Sequence, residues 1–158
     1  MTNGMGPLRT GSASNPIRCA ILISGSGSGM QAMVTHQQTH LDCGHRTVLV
    51  ISDNPEATGL MKAEQLGIQA HCIALPEEAD RTLRRHLHEQ QILSLIQEHQ
   101  IELILLSGYM RLVSADFVDH WTPRIINIHP SLLPAFPGAH AHRDVLAAGV
   151  EVSGCTVH

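Results

Sequence analysis

Two polar side chains with complementary chemistry, Asn127 and His129, follow a short apolar run. The segment Arg124-Ile125-Ile126 predicts a buried strand because β-branched residues favour strands, and residues i and i+2 of a strand point to the same face. The amide of Asn127 can donate to a developing oxyanion, and the imidazole of His129 can give or take a proton near neutral pH. The pair suits a carbonyl group under attack, although the same residue types also serve as polar caps at strand ends.

A second chemical signal is the glycine-rich turn of residues 25–29, G-S-G-S-G, between an apolar strand and a helical stretch. Glycines let backbone N–H groups approach a ligand, and a helix N-terminus favours an anion. The turn lacks the Lys-Ser/Thr of a P-loop, and Met30 stands where a dinucleotide fingerprint has its third glycine. We expect a phosphate cradle; the alternative is a tight turn without a ligand.

The elements that must position these residues alternate between apolar runs and helical patterns, which predicts an α/β, doubly wound and mostly parallel sheet. The carboxyl ends of its strands would gather the glycine turn, the loop at 108–111 and the Asn127–His129 segment at one edge. Predicted strands are Cys19–Ser24, Thr47–Ser52, Gln69–Leu75, Leu103–Leu106, Ile125–Ile128 and one starting at Gly154. Predicted helices are Met30–His40, Ala57–Leu66, Arg81–Gln100, Ser114–Trp121 and His142–Ala148.

Composition and charge limit the classes of function. The 158 residues suit one domain, which we place at residues 18–158 after a polar, disordered tail at 1–17. A net charge of −4 without a basic run gives no sign of nucleic-acid binding, and no apolar run reaches the roughly 18 residues of a membrane span. The cysteines form no C-x-x-C motif; we expect Cys19 and Cys72 to be reduced core residues of a cytoplasmic protein.

Five segments carry a resemblance to a known family. They are I-L-I-S-G-S-G-S-G-M-Q-A, V-I-S-D-N-P-E-A-T-G-L, S-G-Y-M-R-L-V, I-N-I-H-P-S-L-L-P and P-G-A-H-A-H-R. Together they resemble the folate-dependent formyltransferases, and in detail the branch that acts in purine biosynthesis, over residues 17–158. The resemblance implies a Rossmann-type formyltransferase fold, 10-formyltetrahydrofolate as co-substrate without a metal, and glycinamide ribonucleotide as acceptor.

The resemblance also implies roles for individual residues. Asn127 would hold the formyl oxygen and His129 would be the acid–base residue. Gly27, Ser28 and Gly29 would bind the substrate phosphate, with Gly29 at a position where the family usually has Asn. The folate would contact Met110, Arg111, Leu112, Val113 and Asn127, and an arginine that is Arg81, Arg84 or Arg85.

One part of the family pattern is unmatched. The resemblance ends at His158 inside a strand, whereas the family continues through further strands and a terminal helix. That part carries an aspartate that pairs with the histidine and a glutamate near the substrate amine. A carboxylate beside His129 would raise its pKa. We therefore expect the family site in partial form, on an incomplete domain.

Three other functions remain open from the sequence. A metal-dependent hydrolase could use His140 and His142 with His129 or His158, or the pair His86 and His88. A non-catalytic nucleotide-binding remnant and a formyltetrahydrofolate hydrolase are the other two. The strand edge at residues 154–158 also suggests a possible homodimer.

Overall fold

The computed structural model describes residues 4–158 as one six-stranded sheet with five helices. The strands are β1 Ile17–Ile23, β2 His45–Ser52, β3 Gln69–Cys72, β4 Leu103–Ser107, β5 Ile125–His129 and β6 Thr156–Val157. The helices are α1 Ser28–Thr39, α2 Thr58–Gln65, α3 Arg81–Glu98, α4 Ala115–Trp121 and α5 Ala141–Ala148. The first three residues of the predicted tail lie outside the described residues.

The sheet is covered on both faces, as the continuous apolar run of β1 requires. Alternate β1 residues enter two hydrophobic clusters because successive side chains of a strand point to opposite faces. Ala20 and Leu22 pack with α3 and α4, whereas Cys19, Ile21 and Ile23 pack with α1 and α2. The predicted doubly wound α/β fold is confirmed.

The order of the strands determines where in the sheet the predicted site residues lie. The order is β3-β2-β1-β4-β5-β6, all neighbours being parallel except β5 and β6. The chain leaves β1 on one side for β2 and returns to the other side as β4. Such a reversal opens a crevice at the carboxyl edge where ligands bind in doubly wound sheets. We call the space between the ends of β1 and β4 the switch point.

Some element boundaries differ from the prediction. Helix α1 begins at Ser28 rather than Met30, so the last two residues of the glycine-rich turn lie in its first turn. Strand β3 ends at Cys72, whose side chain is exposed, so the prediction of Cys72 as a core residue is wrong. Leu83 and Leu87, in the N-terminal half of α3, are partly exposed, because the core covers this half of the helix less than the other.

The segment of residues 4–16 forms no helix or strand but contacts the domain, which differs from the disordered tail predicted for residues 1–17. Arg9 pairs with Glu102 at 2.6 Å, and Met5 packs against the α3–α4 side of the core. Ile17 already belongs to β1, where its amide donates to the Gly44 carbonyl. No helix within residues 4–158 is long and apolar enough to cross a membrane.

Candidate active site

The glycine-rich turn lies at the switch point and leaves the start of α1 open. Gly27 has φ +66°, which an L side chain rarely adopts, and its carbonyl accepts the first helical bond from Gln31 at 2.8 Å. No side chain caps α1, and the N–H groups of a first helical turn have no partner within the helix. Ser28 and Gly29 are exposed. This local structure suits an anion such as a phosphate.

Ser107, the last residue of β4, borders that turn. A Cβ atom on Gly29 would collide with the Ser107 hydroxyl oxygen. Glycine at position 29 is explained by this close approach and not by its backbone conformation, since the φ of Gly29 is not in the left-handed region. The contact brings the ends of β1 and β4 together at the switch point.

The β4–α4 loop, residues 108–114, presents apolar side chains beside the same edge. Met110 and Leu112 are 60% and 80% exposed, whereas Val113 packs partly against the core. The Met110 amide donates to the Ser24 hydroxyl at 2.9 Å, and the Arg111 Nε donates to Asp53 at 2.6 Å. The loop thus offers an exposed apolar surface on an anchored backbone.

Asn127 and His129 lie in β5, both half-buried, and share one face of the strand. The backbone of Asn127 pairs with His158, giving and receiving hydrogen bonds of 2.7 and 2.9 Å. The Asn127 Nδ2 lies 3.0 Å from the His158 Nε2. Because an amide nitrogen only donates, that imidazole nitrogen accepts, and Asn127 keeps a second N–H and its oxygen for a ligand.

The orientation of His129 is set by a backbone carbonyl. Its Nε2 lies 3.0 Å from the Phe136 carbonyl oxygen, which can only accept, so Nε2 carries a proton. The other nitrogen, Nδ1, is left for chemistry. Phe136 has φ +52°, and the fully buried Ser131 donates to the neighbouring Ala135 carbonyl at 2.6 Å. The loop that holds the imidazole is therefore cross-linked internally.

β6 supports this loop from outside. The Thr156 hydroxyl donates to the Ser131 carbonyl at 2.7 Å and accepts the Leu133 amide at 3.0 Å. These bonds tie the segment after His129 to the antiparallel strand. Nothing in the spacing of the sequence indicates this support.

Arg81 is the first residue of α3, after the capping residue Asp80, and is exposed. About two turns later the same helix contacts the β4–α4 loop, where Glu89 accepts hydrogen bonds from the amide and hydroxyl of Ser114. Of the alternatives, Arg85 is exposed and Arg84 half-buried.

The histidine pairs considered as metal ligands do not converge. His86 is exposed, whereas His88 is buried and bonded through Nε2 to the Ile73 carbonyl at 2.6 Å. His140 and His142 are exposed at the start of α5. Within residues 4–158, no three His, Cys, Asp or Glu side chains form a group arranged for a metal ion.

A surface cavity of about 420 Å³ lies away from this edge. Its lining includes Gln37, His40, Cys43 and His45, near the end of α1 and the start of β2. None of the predicted site residues lines it. Cavity size is therefore not what marks the site.

Two polar groups at the site were missed from the sequence. Asp53 is 6% exposed and accepts hydrogen bonds from both Ser24 and Arg111. The Phe136 carbonyl, which orients His129, has no sequence signal because every residue carries a carbonyl. Asp53 does have one, because it is an acidic residue directly after the predicted strand Thr47–Ser52.

Comparison with known proteins shows which protein family the chain matches. The family model described as "Formyl transferase" matches residues 17–158. The chain is 41% identical to the trifunctional purine biosynthetic protein adenosine-3 of Gallus gallus over 144 residues, which is 91% of the chain and 14% of that protein. It is 38% identical to the phosphoribosylglycinamide formyltransferase of Escherichia coli (strain K12), over 87% of the chain and 63% of that protein.

Solved structures agree with this result. The crystal structure of phosphoribosylglycinamide formyltransferase from Brucella melitensis matches with a TM-score of 0.81 and 42% identity, covering 90% of this chain and 72% of that one. Glycinamide ribonucleotide transformylase 1 from Symbiobacterium toebii matches with a TM-score of 0.80 and 40% identity, covering 90% and 65%. The chain thus spans only part of the length of the proteins it resembles.

Proposed function

The chain belongs to the formyl transferase family, and on that premise we propose that it transfers a formyl group from 10-formyltetrahydrofolate to the amine of glycinamide ribonucleotide. The observation that carries the proposal is the position of Asn127 and His129 on one face of β5, beside the β4–α4 loop and near the glycine-rich turn. The names of the relatives and solved structures favour transfer over hydrolysis of the folate.

The glycine-rich turn would fix the acceptor. The uncapped N–H groups at Gly27, Ser28 and Gly29 offer donors to the ribonucleotide phosphate, and the dipole of the 12-residue helix favours its charge. Binding the phosphate at one end holds the amine at the other, which replaces a bimolecular encounter by a bound geometry.

The β4–α4 loop and Asn127 would hold the formyl donor. The exposed side chains of Met110 and Leu112 offer apolar contacts to the flat ring system of the folate. Arg111 and Val113, in the same loop, would also contact the folate. The free N–H of Asn127 would donate to the formyl oxygen as negative charge develops on it. Arg81 would contact the donor as well.

His129 would carry the proton that the reaction moves. A bond forms between the amine nitrogen and the formyl carbon, and the bond from that carbon to the folate nitrogen breaks. The amine loses one proton and the departing nitrogen gains one, so the exchange balances. Nδ1 is the imidazole nitrogen left for this transfer, because Nε2–H is held by the Phe136 carbonyl.

Steady-state formyl transfer tests the proposal. We expect formation of formylated ribonucleotide that matches the folate released, and no folate release when the ribonucleotide is omitted. His129→Ala should lower kcat at least 100-fold, within the usual contribution of general acid–base catalysis. His142→Ala, which changes an exposed histidine of α5, is the matched control and should keep full activity.

Other outcomes separate the remaining functions. Folate release without an acceptor would favour a hydrolase and contradict the proposal. Binding of the ribonucleotide without any turnover would favour a non-catalytic protein. Small molecules are the partners we propose, and a homodimer stays a prediction.

A further inference from the structure

Asp53 is a buried carboxylate with two short hydrogen bonds at the site edge. It directly follows β2 and is 6% exposed. Its Oδ1 accepts from the Ser24 hydroxyl and its Oδ2 from the Arg111 Nε, both at 2.6 Å. Burying a carboxylate is costly unless it is paired and hydrogen-bonded. Both oxygens meet this condition only while Ser24 and the β4–α4 loop stay in place.

Ser24 extends the influence of Asp53 to the backbone of the loop. A hydroxyl has one proton, and that of Ser24 is committed to Asp53. Its oxygen lone pairs therefore face the Met110 amide, which donates to them at 2.9 Å. The backbone of Ser24 is held as well, because the Asn54 side chain donates a hydrogen bond to the Ser24 carbonyl at 3.2 Å. Asp53 thus sets the position of the Met110 amide through one intermediate group.

Arg111 gives the loop a second attachment to the same carboxylate. The Arg111 side chain is 50% exposed while that of Asp53 is 3% exposed, so the ion pair is anchored at its buried end. Two consecutive loop residues are therefore linked to Asp53, Met110 by its backbone through Ser24 and Arg111 directly by its side chain. Asp53 follows β2 and the loop follows β4, with β1 between these strands, so the contact spans the switch point.

We propose that Asp53 is a positioning residue for formyl-donor binding: it holds the β4–α4 loop in the shape that receives the folate. The inference rests on the proposed function, which assigns the donor to this loop. Asp53 contacts neither Asn127 nor His129 through any hydrogen bond of the described residues, so its effect should fall on donor affinity and not on the chemical step.

Asp53→Asn is the test variant. The amide keeps the size of the carboxylate but loses its charge, and its nitrogen can only donate. If that nitrogen faces the Arg111 Nε, the bond is lost; if it faces Ser24, the direction of the bond is reversed and the Ser24 proton loses its acceptor. We expect the Kd for tetrahydrofolate and the KM for the formyl donor to rise about ten- to a hundred-fold, the factor for losing one hydrogen bond to a charged group. The kcat and the Kd for glycinamide ribonucleotide should change less than about three-fold.

Glu102→Gln is the matched control. Glu102 is also a carboxylate that pairs with an arginine, Arg9, and accepts a backbone amide, that of Arg18. It directly precedes β4, at the opposite edge of the sheet from the site. The same chemical change there should leave donor binding unaltered.

Ser24→Ala is a second variant that keeps the test decisive if Asp53→Asn unfolds. It removes the hydroxyl between Asp53 and Met110 while the ion pair with Arg111 remains. A loss of donor affinity alone, in either variant, supports the inference. Unchanged donor affinity in both variants, or an equal loss for donor and ribonucleotide, overturns it. If the unmodified chain binds no tetrahydrofolate, the proposed function fails and the inference fails with it.

Discussion

The close approach of Ser107 to Gly29 predicts that Gly29→Ala changes the stability in opposite directions with and without the Ser107 hydroxyl, as a double-mutant cycle would show. A Cβ on Gly29 would overlap the Ser107 hydroxyl, while the Ser107 Cβ lies 3.8 Å from that point, an ordinary contact. Overpacking of this kind costs about 1–3 kcal/mol. Replacing glycine by alanine within a helix gains about 0.5–1 kcal/mol, and Gly29 lies in the first turn of α1. Gly29→Ala should therefore lower the free energy of unfolding by up to about 2.5 kcal/mol, the difference between this cost and this gain.

The Ser107→Ala background should reverse that effect. Without the hydroxyl the overlap disappears and the helical gain remains, so Gly29→Ala should stabilise by about 0.5–1 kcal/mol. The coupling between the two positions is then about 1–3 kcal/mol, in the range for contacting residues. Urea denaturation of the four proteins measures it. Gly25→Ala is the control, because a Cβ there has nothing within 4 Å.

The reasoning is refuted if Gly29→Ala has the same effect with and without the Ser107 hydroxyl. Gly29→Asn follows the same logic, since asparagine is the residue that the family resemblance expects here. It should be tolerated better together with Ser107→Ala than alone. Equal tolerance in both backgrounds would show that Ser107 does not limit the side chain at position 29.

Three further predictions concern stability and reactivity. Gly27→Ala should destabilise by about 2–5 kcal/mol, because it combines a φ of +66° with a Cβ 2.9 Å from a neighbouring backbone carbon; a loss below 1 kcal/mol in urea denaturation would contradict this. The hydrogen bond from Arg9 lowers the pKa of Glu102 in the folded protein. The ion pair therefore stabilises the fold, by about 0.5–1 kcal/mol, at pH values above the pKa that Glu102 has in the unfolded chain. This stabilisation is lost as the pH falls through the pKa of Glu102 in the folded protein. The stability difference between the wild type and Glu102→Gln should thus be constant from pH 7 to pH 5.5 and shrink below pH 4.5; a constant difference down to pH 3 would exclude the mechanism. Burial raises the pKa of Cys19 to about 12, so a thiol reagent at pH 8 should label the exposed Cys72 and Cys155 before Cys19, as mass spectrometry of peptides would show.

The sheet could be predicted from the sequence because its strands are continuous apolar runs. The run at 19–23 needs cover on both faces, and that alone favours a doubly wound sheet. Gly67 and Gly149, which were expected to end α2 and α5, have φ values of +76° and +64° just after those helices. Such signals are local, so they survive without knowledge of the tertiary structure.

Helix α3 shows where local patterns fail. Leu83 and Leu87 follow the apolar spacing of the helix but are partly exposed, while His88 and Glu89 are buried. His88 is satisfied by the Ile73 carbonyl, and Glu89 accepts from the amide and hydroxyl of Ser114. Hydrogen-bond partners that are distant in the sequence allow these two polar side chains to be buried. The periodicity of apolar residues along the helix cannot reveal such partners.

The candidate site was predictable only in part for the same reason. The alternation of a strand predicted that Asn127 and His129 share a face, and the parallel sheet predicted which edge they occupy. The groups that orient His129 and Arg111 are brought to them only by the tertiary structure. The Phe136 carbonyl bonds His129 because of a turn with positive φ, and Asp53 reaches Arg111 across β1.

The most direct test of the account is single-turnover formyl transfer at saturating 10-formyltetrahydrofolate and glycinamide ribonucleotide, comparing the wild-type chain with Asn127→Ala and His129→Ala. The account predicts that each variant still binds the ribonucleotide with the wild-type Kd, while the rate of the chemical step falls at least 100-fold. A wild-type rate in His129→Ala, or a loss explained entirely by weaker ribonucleotide binding, would contradict the assignment of catalysis to this edge of the sheet.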